Sequence, residues 1–111
     1  MECEFTIKQI SDQTGLNQAT IRYYEKIGLI NHVKRNSIGR RVYDIQDRDI
    51  INSIVCLKKT GMTLDEITSY MKLENVSEKY KMLQEHKKKI NSQMTELQRI
   101  IELKLKKINN Q

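Results

Sequence analysis

The sequence predicts a mainly α-helical fold: a small winged helix-turn-helix head followed by one long C-terminal helix. Three observations carry this reading. The 111 residues include no proline and four glycines, and Gly15, Gly28, Gly39 and Gly61 each fall where a periodic pattern stops. Two short amphipathic stretches flank Gly15, and a cationic stretch without helical period follows them. The last third carries apolar residues at alternating three- and four-residue steps. The head is therefore assigned to residues 1–75 and the dimerisation helix to residues 76–111.

The first helix runs from Thr6 to Thr14. Thr6 and Gln9 have the spacing of a capping box, and Ile7 and Ile10 give it a small apolar face. Gly15 permits a sharp turn, Leu16 plugs the corner, and Asn17 caps a second helix that ends at Gly28. On that helix Ile21, Tyr24 and Ile27 recur at core spacing, while Gln18, Thr20, Arg22, Tyr23 and Lys26 occupy the other side. Such a mixed face suits a DNA groove, where cations meet phosphates and Thr, Gln and Arg reach base edges. It also suits an ordinary solvated helix side. Two short helices joined by a tight turn form a helix-turn-helix, whose second helix enters the major groove.

The helical period disappears from Asn31 to Ile45. Lys34, Arg35, Arg40 and Arg41 surround Asn36-Ser37-Ile38-Gly39, and Arg41-Val42-Tyr43 reads as a short strand after a Gly-containing turn. This is a β-ribbon, or wing, with cations along the phosphate backbone and a hydroxyl contact from Tyr43. A solvated basic loop is the alternative. Asp47 is expected to cap a third helix, buried by Ile50, Ile51, Ile54 and Leu57 and ending at Gly61. Thr63 and Glu66 form another capping box, opening a fourth helix with Ile67, Tyr70 and Met71 inward. Ser77 is expected to cap the long helix, from about Glu78 to Ile108.

Two heptad series interleave there. One is Tyr80, Lys87, Met94, Ile101 and Ile108; the other is Leu83, Ile90, Leu97 and Lys104. A helix of this length spans roughly 45 Å, so its seam needs a partner, most simply its own copy. Leu83, Ile90, Met94, Leu97 and Ile101 are the dimerisation candidates. A helix lying on a membrane is the competitor, with Lys79, Lys81 and Lys87-Lys88-Lys89 for acidic lipids; the narrow seam favours the coiled coil.

Composition narrows the function classes. Lys and Arg outnumber Asp and Glu 20 to 14, for a net charge of +6, which favours a polyanionic partner. No apolar run approaches a membrane span, and the start, Met1-Glu2-Cys3-Glu4, lacks an apolar signal core, so a cytoplasmic protein is expected. No nucleophile-base pair, carboxylate cluster or phosphate-binding Gly loop appears, so neither an enzyme nor a bound cofactor is expected. His32 and His86 have no Cys or His at ligand spacing, so no metal site is expected either.

The segments Thr20-Ile21-Arg22-Tyr23-Tyr24-Glu25-Lys26-Ile27-Gly28-Leu29-Ile30, Gly39-Arg40-Arg41-Val42-Tyr43 with Asp47, and Gly61-Met62-Thr63-Leu64-Asp65-Glu66-Ile67 resemble the MerR family of bacterial transcription regulators. The likeness runs from about Phe5 to Leu73, and the long helix continues it. Arg40 departs from the Tyr that often follows the wing glycine. The resemblance implies a winged helix-turn-helix head and an antiparallel coiled-coil dimer on double-stranded promoter DNA. It implies activation by bending and untwisting an overlong promoter spacer for RNA polymerase. Carried over by residue, it places Arg22, Tyr23, Arg41, Tyr43 and Lys58 on DNA, with Gln18 and Thr20 as base readers; Arg35 and Arg40 remain phosphate candidates from the wing reading. Tyr24 either touches DNA or packs inside.

With the sequence ending at Gln111, the resemblance points to a small form without a ligand-binding domain. The setting of Cys56, in Ile54-Val55-Cys56-Leu57-Lys58-Lys59-Thr60-Gly61, resembles the small aldehyde- and thiol-stress-responsive members of AdhR/NmlR type. That implies a sensor cysteine for electrophiles; the alternative is a buried structural cysteine. Cys3 is read as incidental. Other functions left open are a repressor or architectural protein without a sensed signal, and a coiled-coil or membrane-surface interaction protein.

Overall fold

A computed structural model describes residues 4–31 and 33–111; Cys3 and His32, with the readings made of them, lie outside the described residues. Among the described residues, five helices and a two-stranded ribbon follow one another as α1 (Ile7–Thr14), α2 (Gln18–Lys26), β1 (Lys34–Arg35), β2 (Arg41–Val42), α3 (Ile45–Lys59), α4 (Leu64–Lys72) and α5 (Val76–Asn109). Its contacts divide the chain into two units, Met1–Met71 and Lys72–Gln111.

Local chemistry sets the helix starts in the head. The Thr6 hydroxyl accepts from the Gln9 amide at 3.1 Å, and the Gln9 side chain accepts from the Thr6 amide at 2.8 Å. This reciprocal box satisfies two donors that the first turn of a helix leaves open. Gly15 then takes the left-handed conformation at φ 78°, and its amide closes onto the Ser11 carbonyl at 2.9 Å. The Ser11 hydroxyl donates to the Leu16 carbonyl and the Thr14 hydroxyl to that of Ile10, so the turn into α2 is pinned from both sides. The Asn17 side chain accepts from the Thr20 amide at 2.8 Å and starts α2.

Two helix starts differ from expectation. Asp44, not Asp47, caps α3; the Asp44 carboxylate accepts from the Asp47 amide at 2.8 Å, and the Asp47 carboxylate accepts from the Asp44 amide at 3.0 Å. Asp47 is thus the third helical residue, where a carboxylate still meets the positive end of the helix. Burial and the neighbouring Asp44 charge push the Asp47 carboxyl above its ordinary range, against the Asp44 amide, which pulls it down. Likewise Asn75, not Ser77, caps α5, accepting from the amides of Ser77 and Glu78. In both cases the residue still in extended backbone takes the cap, because its side chain can turn back over the amides that follow. The Thr63–Glu66 box at the start of α4 forms as the spacing predicts.

One core joins the four helices of the head. Ile10 of α1, Ile21 and Tyr24 of α2, Leu29 and Ile30 after it, Tyr43 after β2, Ile51 and Ile54 of α3, Met62, and Ile67 of α4 are all buried together. Each such side chain contributes about 1.5–3 kcal/mol of transfer free energy. Phe5 pairs antiparallel with Tyr43: the Phe5 amide donates to the Tyr43 carbonyl at 2.7 Å, and the Phe5 carbonyl accepts from the Tyr43 amide at 2.8 Å. This bridge ties the chain start to the base of the wing, a link that residue patterning alone did not reveal.

α5 has 34 residues, about 50 Å at the rise of an α-helix, and none is buried. Tyr80, Leu83, Met94, Leu97, Ile101 and Ile108 of the heptad seam are exposed, and Ile90 is partly exposed. Ile100, Leu103 and Leu105, which lie off the two heptad series, are exposed as well, so the apolar surface widens toward the C-terminal half. No helix among the described residues is long and apolar enough to cross a membrane.

Candidate nucleic-acid interface

α2 separates its residues as an amphipathic helix must. Ile21 and Tyr24 are buried, whereas Arg22, Tyr23 and Lys26 are exposed, and Gln18 and Thr20 are partly exposed. Arg22 lies one turn beyond Gln18, and its guanidinium donates to the Gln18 side-chain oxygen at 3.3 Å. A cation, an amide and a phenol are thus all presented by one nine-residue helix, groups of the kinds that meet phosphates and base edges.

The wing is a short antiparallel ribbon in which Lys34 pairs with Val42 and Arg35 with Arg41. Its tip is built by Asn36. The Asn36 side-chain oxygen accepts from the amides of Ile38 and Arg40 at 3.1 and 3.0 Å, and Gly39 takes φ 81° to close the turn. A left-handed glycine at this position lets the strands return in register. Lys34, Arg35 and Arg40 are exposed, and the Arg35 guanidinium donates to the Gly39 carbonyl at 2.8 Å. Arg41 is only partly exposed: its Nε donates to Glu25 Oε2 of α2 at 2.9 Å. Glu25 is thus part of the site, and the residue pattern gave no sign of it because the pair is sixteen positions apart.

Two tyrosines are placed differently from the surface contacts considered for them. Tyr24 packs inside, 2% exposed, which decides between its two readings. Tyr43 is fully buried, and its hydroxyl has no hydrogen-bond partner among the described residues. Its ring belongs to the core, just past the end of β2, where its backbone bridges Phe5. Burial raises the Tyr43 hydroxyl above its ordinary pKa, and the Glu25 carboxylate adds to this, while Arg41 and Arg22 oppose it. An unpartnered buried hydroxyl costs about 1–3 kcal/mol. Tyr43→Phe is therefore expected to raise stability by about 1 kcal/mol, read as a higher melting temperature, with DNA affinity unchanged. A loss of affinity in that variant would restore the hydroxyl contact.

Lys58 and Cys56 are exposed on α3. Among the described residues, no group of three or more His, Cys, Asp or Glu side chains gathers to hold a metal ion.

A short helix pair with a tight turn, and a basic ribbon tethered to its second helix, define a winged helix-turn-helix protein. Residues 5–74 match the family model described as MerR HTH family regulatory protein, and residues 48–104 match that described as MerR, DNA binding. The chain belongs to the MerR family. It is 42% identical over 67 residues to the HTH-type transcriptional regulator AdhR of Bacillus subtilis, covering 60% of this chain and 48% of AdhR. It is 31% identical over 113 aligned positions to a ZntR homolog of Haemophilus influenzae, covering 94% of this chain and 84% of the homolog. The chain spans about half the length of the first curated relatives it matches, AdhR and YyaN of Bacillus subtilis. Among solved structures, it superimposes on HiNmlR, described as a MerR family regulator lacking the sensor domain and bound to promoter DNA. That match has a TM-score of 0.75 and 26% identity, covering 90% of this chain and 80% of HiNmlR.

Proposed function

We propose that this chain is a dimeric, sequence-specific transcription regulator that binds promoter DNA and acts with RNA polymerase by distorting the promoter spacer. The observation that carries the reading is the joint surface of α2 and the wing: Arg22, Tyr23 and Lys26 exposed on one, Lys34, Arg35 and Arg40 on the other. Arg and Lys on two neighbouring elements track phosphates, while Gln18, Thr20 and Arg22 read base edges. The promoter DNA in the HiNmlR structure supports the same partner. Two such heads joined through α5 grip both flanks of one duplex. Bending and untwisting a promoter costs about 1–6 kcal/mol in smooth elastic terms, which phosphate contacts from two heads can offset.

Cys56 is the proposed sensor within this reading. It is exposed, and a thiol needs that exposure to meet an electrophile. Footprinting of the region upstream of its own gene, with and without a formaldehyde-like electrophile, tests the whole reading. Protection of a palindromic site with enhanced cleavage in the spacer is the expected result. Equal protection of scrambled DNA would favour a non-specific architectural role. Cys56→Ser is expected to abolish the electrophile-dependent change in the footprint while leaving occupancy intact. A change that persists in the variant would return the cysteine to a purely structural part.

A further inference from the structure

Arg35 and Arg41 lie directly opposite each other on the wing ladder. Like charges at a cross-strand pair repel and destabilise the ribbon. Each guanidinium is held by a different acceptor: Arg35 by the Gly39 carbonyl at 2.8 Å, and Arg41 by the Glu25 carboxylate at 2.9 Å. Glu25 thus offsets the crowding of positive charge at the rung of the ladder next to the wing tip. It also spans the gap between β2 and α2, the two elements expected to meet DNA together.

An acid on that surface is otherwise out of place, because a carboxylate near phosphates weakens binding. Glu25 is also one turn from Arg22, where an i, i+3 pair could form. Arg22 donates instead to Gln18, and the Glu25 carboxylate takes the wing arginine. Only Nε of Arg41 is engaged; neither of its Nη nitrogens has a hydrogen bond among the described residues. A guanidinium held along its Nε side keeps donors for a phosphate, and its planar fork loses little further freedom on binding.

We propose that Glu25 is a positioning residue for DNA binding. By holding Arg41 it fixes the wing against the recognition helix and presents the Arg41 Nη groups to a backbone phosphate. This rests on the DNA-binding reading above. It goes further in assigning an acidic residue a favourable part in binding a polyanion.

The sign of one substitution separates the possibilities. Binding of wild type, Glu25→Gln, Arg41→Ala and the double variant to the footprinted promoter fragment is measured by fluorescence anisotropy over a salt series. Thermal unfolding of each protein is recorded alongside. Glu25→Gln is expected to weaken binding about five-fold, although it removes a negative charge. It should also lower the slope of log affinity against log salt by about one per head, the signature of one lost phosphate contact. In the Arg41→Ala background the same change is expected to leave affinity unchanged or raise it, since the carboxylate then has only its repulsion. A variant that lost stability alone would melt earlier yet keep the wild-type salt slope. Glu25→Gln binding as tightly as wild type, or an equal loss in both backgrounds, would overturn the positioning role while leaving the DNA-binding reading intact. Wild-type protein without salt-dependent binding would overturn both.

Discussion

Arg22→Ala is expected to reduce specific operator affinity by about tenfold to a hundredfold per head, with the fold retained. A good bidentate contact to a base contributes about 1–3 kcal/mol of discrimination, and each 1.4 kcal/mol is a factor of about ten. Arg22 is exposed in the middle of α2, next to Tyr23 and one turn from Gln18. The substitution touches nothing in the core, which α2 enters through Ile21 and Tyr24. Alanine is also the stronger helix former, so α2 itself should not fray. A gel-shift titration with a melting curve on the same sample checks this. Full binding by a normally folded variant would move the recognition surface away from α2.

Leu97→Asp is expected to convert the proposed dimer into monomers and, as a consequence, to weaken operator binding by more than the loss of any single contact. Leu97 is 62% exposed on a helix with no buried residue of its own, so within one chain it packs against almost nothing. In the proposed dimer its value lies in the partner helix. A carboxylate at the centre of a coiled-coil seam is desolvated without a counter-charge and carries a penalty of several kcal/mol, incurred twice in a symmetric pair. Two heads on one duplex bind with the advantage of effective concentration, and separated heads forfeit it. Light scattering reports the mass and anisotropy the affinity. A dimer that survives the substitution would place the interface elsewhere on the chain, with the exposed Ile100, Leu103 and Leu105 as the next surface to test.

Both predictions use residues visible in the sequence, and the reason is local. Helix positions in the head follow from short-range rules: an apolar residue every three or four positions, and an oxygen-bearing side chain before each start. Thr6 with Gln9 and Thr63 with Glu66 form the boxes their spacing announces. The same rules fail by three residues at Asp44 and by two at Asn75, because an Asp or Ser nearby matches the cap pattern equally well. Only the point where the backbone leaves its extended form separates the candidates. Ile100, Leu103 and Leu105 escape the sequence pattern for a different reason. A heptad template keeps one seam and discards apolar residues beside it, although the helix exposes them all.

The site divides along the same line. Arg22, Tyr23 and Lys26 were legible as outward positions of one helix, since Ile21 and Tyr24 at core spacing take the other side. Tyr24 was open to two readings, and packing against Tyr43, Ile51 and the rest of the core decided it. By itself, then, the chain's order of residues determined a helical head with a basic ribbon, a rod with an apolar seam, and the family they belong to. Tertiary structure alone decided that Tyr43 joins the core and that Glu25 reaches across to Arg41. Periodicity encodes which way a side chain faces on its own element. It carries nothing about which distant element arrives to meet it, and that depends on how the whole core closes.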